Sequence, residues 1–444
     1  MAIIHEQELF SWKDLENLGD LERLKLVIEN IPDEKLMKFL EKNRAGGRNI
    51  YPIRPMWNTV LAGIVYEHPS SASLLRELRR NAQLRQLCGF SAIKGIRAVP
   101  KKSAFSRFLK TLLNHEDLIK EIFDDLVLKI SKLLPKFGKN LAFDGKALNS
   151  LCKGPKLNKT SSNKSDNRTE KDADWGIKKY KGVDEKGIAW KKIKKWFGFR
   201  IHLIVDADHE LPVAYEVTKA SKSEQPIMYE LFDVLEKTQP QIIKNCEYAM
   251  GDKGYDGKSL IKKLWDKWGI KSVIDIRNMK KDGESSWQFN SLDIKNITYN
   301  YKGEVFCYCP QKGNEHLMAF GGFEKERKSL KYLCPAKHYG IECKGRDKCP
   351  VKNSIRIPLE EDRRVFTPLA RSSYKWKNLY KKRTSVERVN SRLDGSFGFE
   401  KHYIRGLKKM KFQCGISMCV MLTMALGRIK QNQLKLMRSL VRTA

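Results

Sequence analysis

The sequence predicts a mixed α/β protein whose sheet is preceded by helices and interrupted, late in the chain, by a cysteine-bearing insertion. Three observations carry this. Over residues 1–135 apolar side chains recur at three- and four-residue spacing, the period of amphipathic helices. Over 136–276 short and alternating apolar runs interleave with helical ones, the order of a sheet whose strands are joined through helices. Over 277–370 that order gives way to short strand-like runs holding a cysteine cluster, and helical periodicity returns at 371–444. These four stretches are the expected domains.

In chain order, "DLERLKLVIENIPDEKLMKFLEKNR" and "SSASLLRELRRNAQLRQLCGF" read as helices. "VPKKSAFSRFLKTLLNH" reads as another, with Ser103 as its N-cap and Phe105, Phe108, Leu109, Leu112 and Leu113 on one side. Short basic helices suit a DNA-reading bundle and any other helical domain equally. "KNLAFDGKAL" is a short strand, Leu141 to Phe143, ending at Asp144. The polar, lysine-rich stretch from about 150 to 192 reads as a mobile loop. Phe199, Ile201, Leu203 and Val205 alternate, "DADHE" turns, and Val213, Tyr215 and Val217 alternate again: an antiparallel hairpin. A helix over "SEQPIMYELFDVLEK", a strand over "CEYAMGD", a helix over "GKSLIKKLWDKWGI" and a strand over "KSVIDIR" follow. "YKKRTSVERVNSRLD" reads as one helix.

The 86 Lys and Arg against 52 Asp and Glu give a formal charge of +34. So large an excess repels itself, and a polyanion relieves it. Nucleic acid is the first partner to consider and an anionic membrane the second. The N-terminus has no signal-peptide core, and the apolar stretch 412–427 is shorter than the roughly 20 residues of a membrane span, so a buried helix is expected there. Ten cysteines form no secreted disulfide pattern. The expected place is the cytoplasm, with no membrane association.

Asp144 and Asp252 each end a strand of one sheet, where functional groups of open sheets gather. On neighbouring strands their carboxylates converge, repel, and are relieved by divalent cations such as magnesium. Two ions need a third acid. Glu387 qualifies: Tyr380, Arg383, Glu387, Ser391 and Asp394 share a helix face, beside the apolar stripe Val386, Val389, Leu393 and Phe397. Arg383 would then grip a DNA phosphate. An ordinary solvated helix with Arg–Glu pairing is the other reading. Asp206, Asp208 and Asp256 read as turn residues.

"LAFDGKAL", "YAMGDKGYDG" and "YKKRTSVERVNSRL" resemble, in order and context, the three catalytic blocks of bacterial insertion-sequence DDE transposases. The likeness is to the IS-four-like branch, whose last block runs Tyr, two residues, Arg, three residues, Glu, six residues, Lys. Tyr380, Arg383 and Glu387 match that spacing; the Lys position holds Asp394, with Arg388 or Arg392 as substitutes for its DNA contact. "IYPIRPMWNTVLAGIVYE" is similar to the helical domain that precedes many of these cores. The resemblance implies an RNase H-like core and two magnesium or manganese ions on Asp144, Asp252 and Glu387. It implies cleavage and joining of double-stranded DNA at a mobile element's ends by a homodimer in a synaptic complex, near the nucleoid. It also makes 277–370 the insertion of the hairpin-forming branch. A nuclease without strand transfer, and a decayed copy that only binds DNA, stay open.

Cys307, Cys309, Cys334, Cys343 and Cys349 cluster in the insertion; Cys309, Cys334, Cys343 and Cys349 are the set read as a possible structural zinc site. Compact packing of small residues is the alternative. Trp175, Trp190 and Trp196 lie among lysines, suited to stacking on unpaired bases or to anchoring a core. His202 reads as a strand histidine.

Overall fold

The computed structural model describes residues 19–44, 50–155, 170–183, 188–279, 284–308 and 315–440. Seven helices come first: α1 (Leu21–Asn30), α2 (Glu34–Lys42), α3 (Ile53–Val65), α4 (Ser71–Arg80), α5 (Ala82–Leu87), α6 (Lys102–Leu113) and α7 (Glu116–Leu133). Their apolar stripes are what they bury; α7, for instance, buries Leu118, Ile122, Phe123, Leu126 and Ile130. The cap expected at Ser103 is displaced. The backbone stays extended through Lys101 and turns helical at once, which puts Ser103 inside the first turn.

The sheet is built from β1 (Asn140–Asn149), β2 (Asp174–Val183), β3 (Ala189–Asp206), β4 (Leu211–Lys219), β5 (Tyr248–Gly251) and β6 (Lys271–Ile274). Between β4 and β6 lie α8 (Glu224–Thr238), α9 (Pro240–Asn245) and α10 (Lys258–Trp268). The order is β2-β3-β1-β5-β6, with β4 also on β3. β3 runs antiparallel to β1, β2 and β4, while β5 and β6 run parallel to β1. The hairpin read from alternation is β3–β4.

Two elements of this sheet differ from the sequence reading. β1 does not end at Asp144: residues Gly145 to Asn149 go on pairing with His202 to Gly198 of β3, so Asp144 sits mid-strand. The lysine-rich stretch is only partly a loop. Residues 156–169 lie outside the described residues, but β2 and the first half of β3 pair into a two-stranded ribbon. Its register lays the indoles of Trp196 and Trp190 over Gly176 and Gly182 across the strands, where any Cβ would stand 2.2 and 2.5 Å from the ring. Cross-strand aromatic cover of glycine compensates for polar, lysine-rich strands.

The segment after β6 forms two small sheets. One has the order β10-β9-β8-β7, from β7 (Ser286–Gln288), β8 (Ile297–Asn300), β9 (Val305–Tyr308) and β10 (Glu315–Leu317). The other is β11 (Ala319–Glu324), β12 (Ser329–Leu333) and β13 (Ser354–Pro358), with the short helix α11 (Pro335–Tyr339) between the last two. They enclose their own core, including Ile297, Val305, Leu330, Tyr332 and Phe366, separate from the core shared by the N-terminal helices and the large sheet.

The chain returns through α12 (Tyr374–Lys381), α13 (Thr384–Phe397) and α14 (Leu407–Lys430). The helix expected over "YKKRTSVERVNSRLD" is therefore two. At Lys382 and Arg383 the backbone bonds step back three residues instead of four, Arg383 N–H to Tyr380 O and Val386 N–H to Arg383 O, which tightens and turns the chain. α14 is long and apolar enough to cross a membrane by length and composition, but 89% of its apolar window is buried in the fold, against α7, α1, α3 and β4. It is the central core helix of the molecule.

Candidate active site

β1 and β5 pair in parallel from Asn140↔Tyr248 to Ala142↔Met250. Two residues further on each strand stand Asp144 and Asp252, so the register sets the two acids level on adjoining strands. The hydrophobic residues around them lock this alignment. Phe143 packs edge-on against Tyr255 at 5.0 Å and Phe232 at 5.7 Å. Asp252 leaves β5 and caps the 3-10 turn Lys253–Tyr255, accepting a 2.7 Å bond from the Gly254 amide.

Asp144 is part-buried, but its Oδ1 is shut off from solvent and has no hydrogen-bond partner. Burial, then the negative charges of Asp252 and Glu224, push its pKa up to about 6 against the pull of Lys178 and the Gly145 amide. A buried carboxylate oxygen without a donor, beside a second carboxylate, is an unsatisfied acceptor with a like charge next to it.

Glu387 lies in the first turn of α13, exposed beside the buried stripe Val386, Val389 and Leu393 of a helix that packs over β1 and β3. Its carboxylate is half exposed and bonded at 2.9 Å to Arg383. Burial opposes the charge on Arg383, yet Glu387, Tyr380 and Asp144 together raise its pKa. Arg383 thus feels the charges of both Glu387 and Asp144. Tyr380 stacks on Trp376 at 4.8 Å, and its pKa is raised first by burial, then by Asp275 and, beyond the opposing pull of Arg383, by Asp252. Tyr380 and Arg383 thus lie within electrostatic reach of Asp252 and Asp144, while Glu387 is bonded to Arg383. Among the described residues, however, no three His, Cys, Asp or Glu side chains already sit at ligating spacing.

The other residues of that motif go elsewhere. Asp394 pairs with Lys146, two residues beyond Asp144 on β1, at 2.5 Å. Arg388 bonds Glu210 at 2.7 Å, and Arg392 is drawn to the same residue and its backbone carbonyl. Glu210 lies on the β3–β4 turn, and Asp144 pairs with Leu203, three residues before β3 ends at Asp206. Burial lowers the Arg392 pKa to about 10. Both arginines anchor α13 to that turn.

The remaining aspartates are structural. Asp206 accepts from the Gly138, Asp208 and His209 amides and so shapes the hairpin turn. Asp256 is more than a turn residue: its Oδ2 accepts at 2.8 Å from both the Arg277 amide and the Arg364 guanidinium, joining the two ends of the insertion. His202 is fully buried, shares a 3.0 Å bond with Thr218 Oγ1, and has its pKa lowered to about 3 by burial and by Arg200 and Lys178.

Sequence reasoning missed Glu224. It opens α8, pairs with Lys178 at 3.0 Å and Arg200 at 3.3 Å, and reaches between the two acid strands. A Cβ on Gly145 would stand 2.9 Å from its Oε1; one on Gly254 would stand 3.4 Å from its Oε2 and 2.8 Å from Asp252 Oδ1. The signal was in the sequence: a glycine follows each aspartate at one or two residues, where a side chain would close the space Glu224 fills. Lys178 also donates to the Gly145 carbonyl at 3.2 Å, so the ribbon supplies a cation to the acids. Beyond it opens a cavity of about 570 Å³, lined by Lys178, Arg200, Lys222, Arg277 and Trp175.

Two family models match the chain. A transposase domain (DUF772) matches residues 10–111, and the transposase DDE domain matches residues 163–423, a range that includes Asp252 and Glu387 and begins after Asp144. No curated protein sequence matches at a significant level. Among solved structures, the cryo-EM piggyBac transposase synaptic complex with hairpin DNA is similar over 98% of this chain and 87% of that one, at 12% identity and a TM-score of 0.28, too low to equate residues of the two. With the DDE model matching more than half of its length, the chain belongs to the transposase DDE domain family, whose members act in DNA transposition.

Proposed function

We propose that this chain is an insertion-sequence transposase of the IS-four-like branch, which cuts double-stranded DNA at the ends of its own element and joins those ends to a target. The carrying observation is the level placement of Asp144 and Asp252, with an unpartnered, buried oxygen on Asp144. The strand order β4-β3-β1-β5-β6, antiparallel then parallel around a central β1, suits an RNase H-like core.

Asp144, Asp252 and Glu387 are the residues that would hold two magnesium or manganese ions. The donor set fits: hard carboxylate oxygens, one of them unsatisfied and all acceptor-only when ionised. Bound there, the ions supply charge stabilisation to the attacking and leaving oxygens of an in-line displacement at phosphorus. The protein does the rest. Asp144 must give up its proton to bind, which its raised pKa makes easy only above about 6. Arg383 restrains Glu387 and, with its guanidinium facing the acids, is placed to bind a phosphate oxygen of the scissile strand. Lys178 and Glu224 set the charge around Asp144 from the ribbon side. Tyr380, on its stack with Trp376, shapes the same edge. Element ends must be brought together for joining, so the acting form is a homodimer on paired ends, close to the nucleoid.

A strand-transfer assay with the cognate element ends tests this. Joined products in magnesium support the proposal. Cuts without joining identify a nuclease, and retention of DNA without cutting identifies a binding protein; either result overturns it.

A further inference from the structure

The insertion is thinly packed for its length. Fourteen buried apolar residues hold its two sheets, among the described residues. Small units of this kind are commonly stapled by a metal or disulfides. No disulfide joins the described cysteines. Yet four of them meet. Cys307 on β9, Cys334 at the start of α11, and Cys343 and Cys349 on either side of the 3-10 turn Arg346–Lys348 line one cavity of about 20 Å³. That is room for about one ion or one water, and too little for a metal–sulfur cluster.

We propose that Cys307, Cys334, Cys343 and Cys349 form a tetrathiolate site for one structural zinc ion, which ties the first small sheet of the insertion to the second. Cys309, expected in this set, lies outside the described residues; Cys307 takes its place. The chemistry agrees in three ways. Zinc favours four thiolates in a closed site. Asn296 Nδ2 donates to Cys349 Sγ at 3.4 Å, the kind of N–H···S support that orients a ligating thiolate. The chain between Cys343 and Cys349 is folded back by the Arg346 amide on the Cys343 carbonyl and the Cys349 amide on the Arg346 carbonyl, both 3.2 Å, which brings the two cysteines to one side. The sulfurs are not yet at ligating spacing, although all four cysteines line this cavity. This site stands apart from the acids, and its test does not depend on the proposed reaction.

The full-length protein, made with zinc supplied and gel-filtered in metal-free buffer, is analysed for metal by mass spectrometry. About one zinc per chain is expected, falling about tenfold or more in Cys334→Ser and Cys349→Ser and unchanged in Cys152→Ser. Cobalt substitution should give thiolate charge-transfer bands and the visible bands of tetrahedral coordination. Should the serine variants fail to fold, mercurial titration of the wild-type protein decides, because zinc then leaves in step with the reacting thiols. Zinc-free protein with reduced thiols, a disulfide among these four cysteines, or zinc retained in both folded serine variants overturns the proposal.

Discussion

At the scale of residues, the acids are organised by what surrounds them more than by their own spacing. Asp144 shows this through its pKa, raised to about 6 mainly by burial. Because the folded value lies above that of an exposed aspartate, the stability this group contributes is fully present below about pH 4 and lost as pH rises through about 6. Asp144→Asn should therefore stabilise the metal-free protein at pH 7, by on the order of 2 kcal/mol. Urea unfolding in chelator checks this, and the gain should shrink steadily on acidification towards pH 4. A destabilised Asn variant at pH 7 would mean the carboxylate is better solvated than its surroundings imply. Asp394 has its own account: it pairs with Lys146 of β1. Asp394→Lys should bring two cations together and lose about 1 kcal/mol, and adding Lys146→Asp should recover most of it. Additive losses in that double-mutant cycle would show that the pair is incidental.

At the scale of elements, what was legible depended on whether the signal was local. The β3–β4 hairpin and α8 follow from their own apolar periods, and both acid strands announced themselves. The length of β1 did not, because Gly145 to Asn149 are held by β3, some fifty residues away. The ribbon was hidden for the same reason: its strands look like solvated loop until Trp190 and Trp196 are set over their glycines. The break between α12 and α13 leaves no mark in a face-by-face reading, since Lys382 and Arg383 are good helix formers that bend only through a change of bonding partner. Glu224 was missed because a helix N-terminal glutamate is ordinary until the sheet brings it between two aspartates. Asp256 is the hinge between core and insertion. Removing its carboxylate leaves Arg364 buried without its partner, so Asp256→Ala should cost about 3 kcal/mol or more. Limited proteolysis should then cut first within 277–370. A variant as resistant as wild type would place the strength of that junction elsewhere, in the Arg371 bonds to the Ile274, Val365 and Arg364 carbonyls.

At the scale of the whole molecule, the charge of +34 and the catalytic edge point to one partner. Lys178 of the ribbon and the cations lining the large cavity lie beside the acids, where the proposed function has a DNA backbone cross this edge. Affinity for element-end DNA should fall steeply with salt, with a log–log slope of about −0.9 per phosphate contacted. A slope near zero would remove DNA as the reason for the charge. The central claim is narrower: Asp144, Asp252 and Glu387 act as one unit although 243 positions separate the first from the last in the numbering. Cleavage of element-end DNA in magnesium by Glu387→Gln, measured beside its binding to the same DNA, tests it most directly. The charge is removed, the shape is kept, and the grip on phosphate stays with lysines and arginines. Cleavage should collapse while binding persists, and combining the change with Asp144→Asn or Asp252→Asn should add no further loss. A folded Glu387→Gln protein that cuts at the wild-type rate would contradict the account, because α13 would then not supply the third acid.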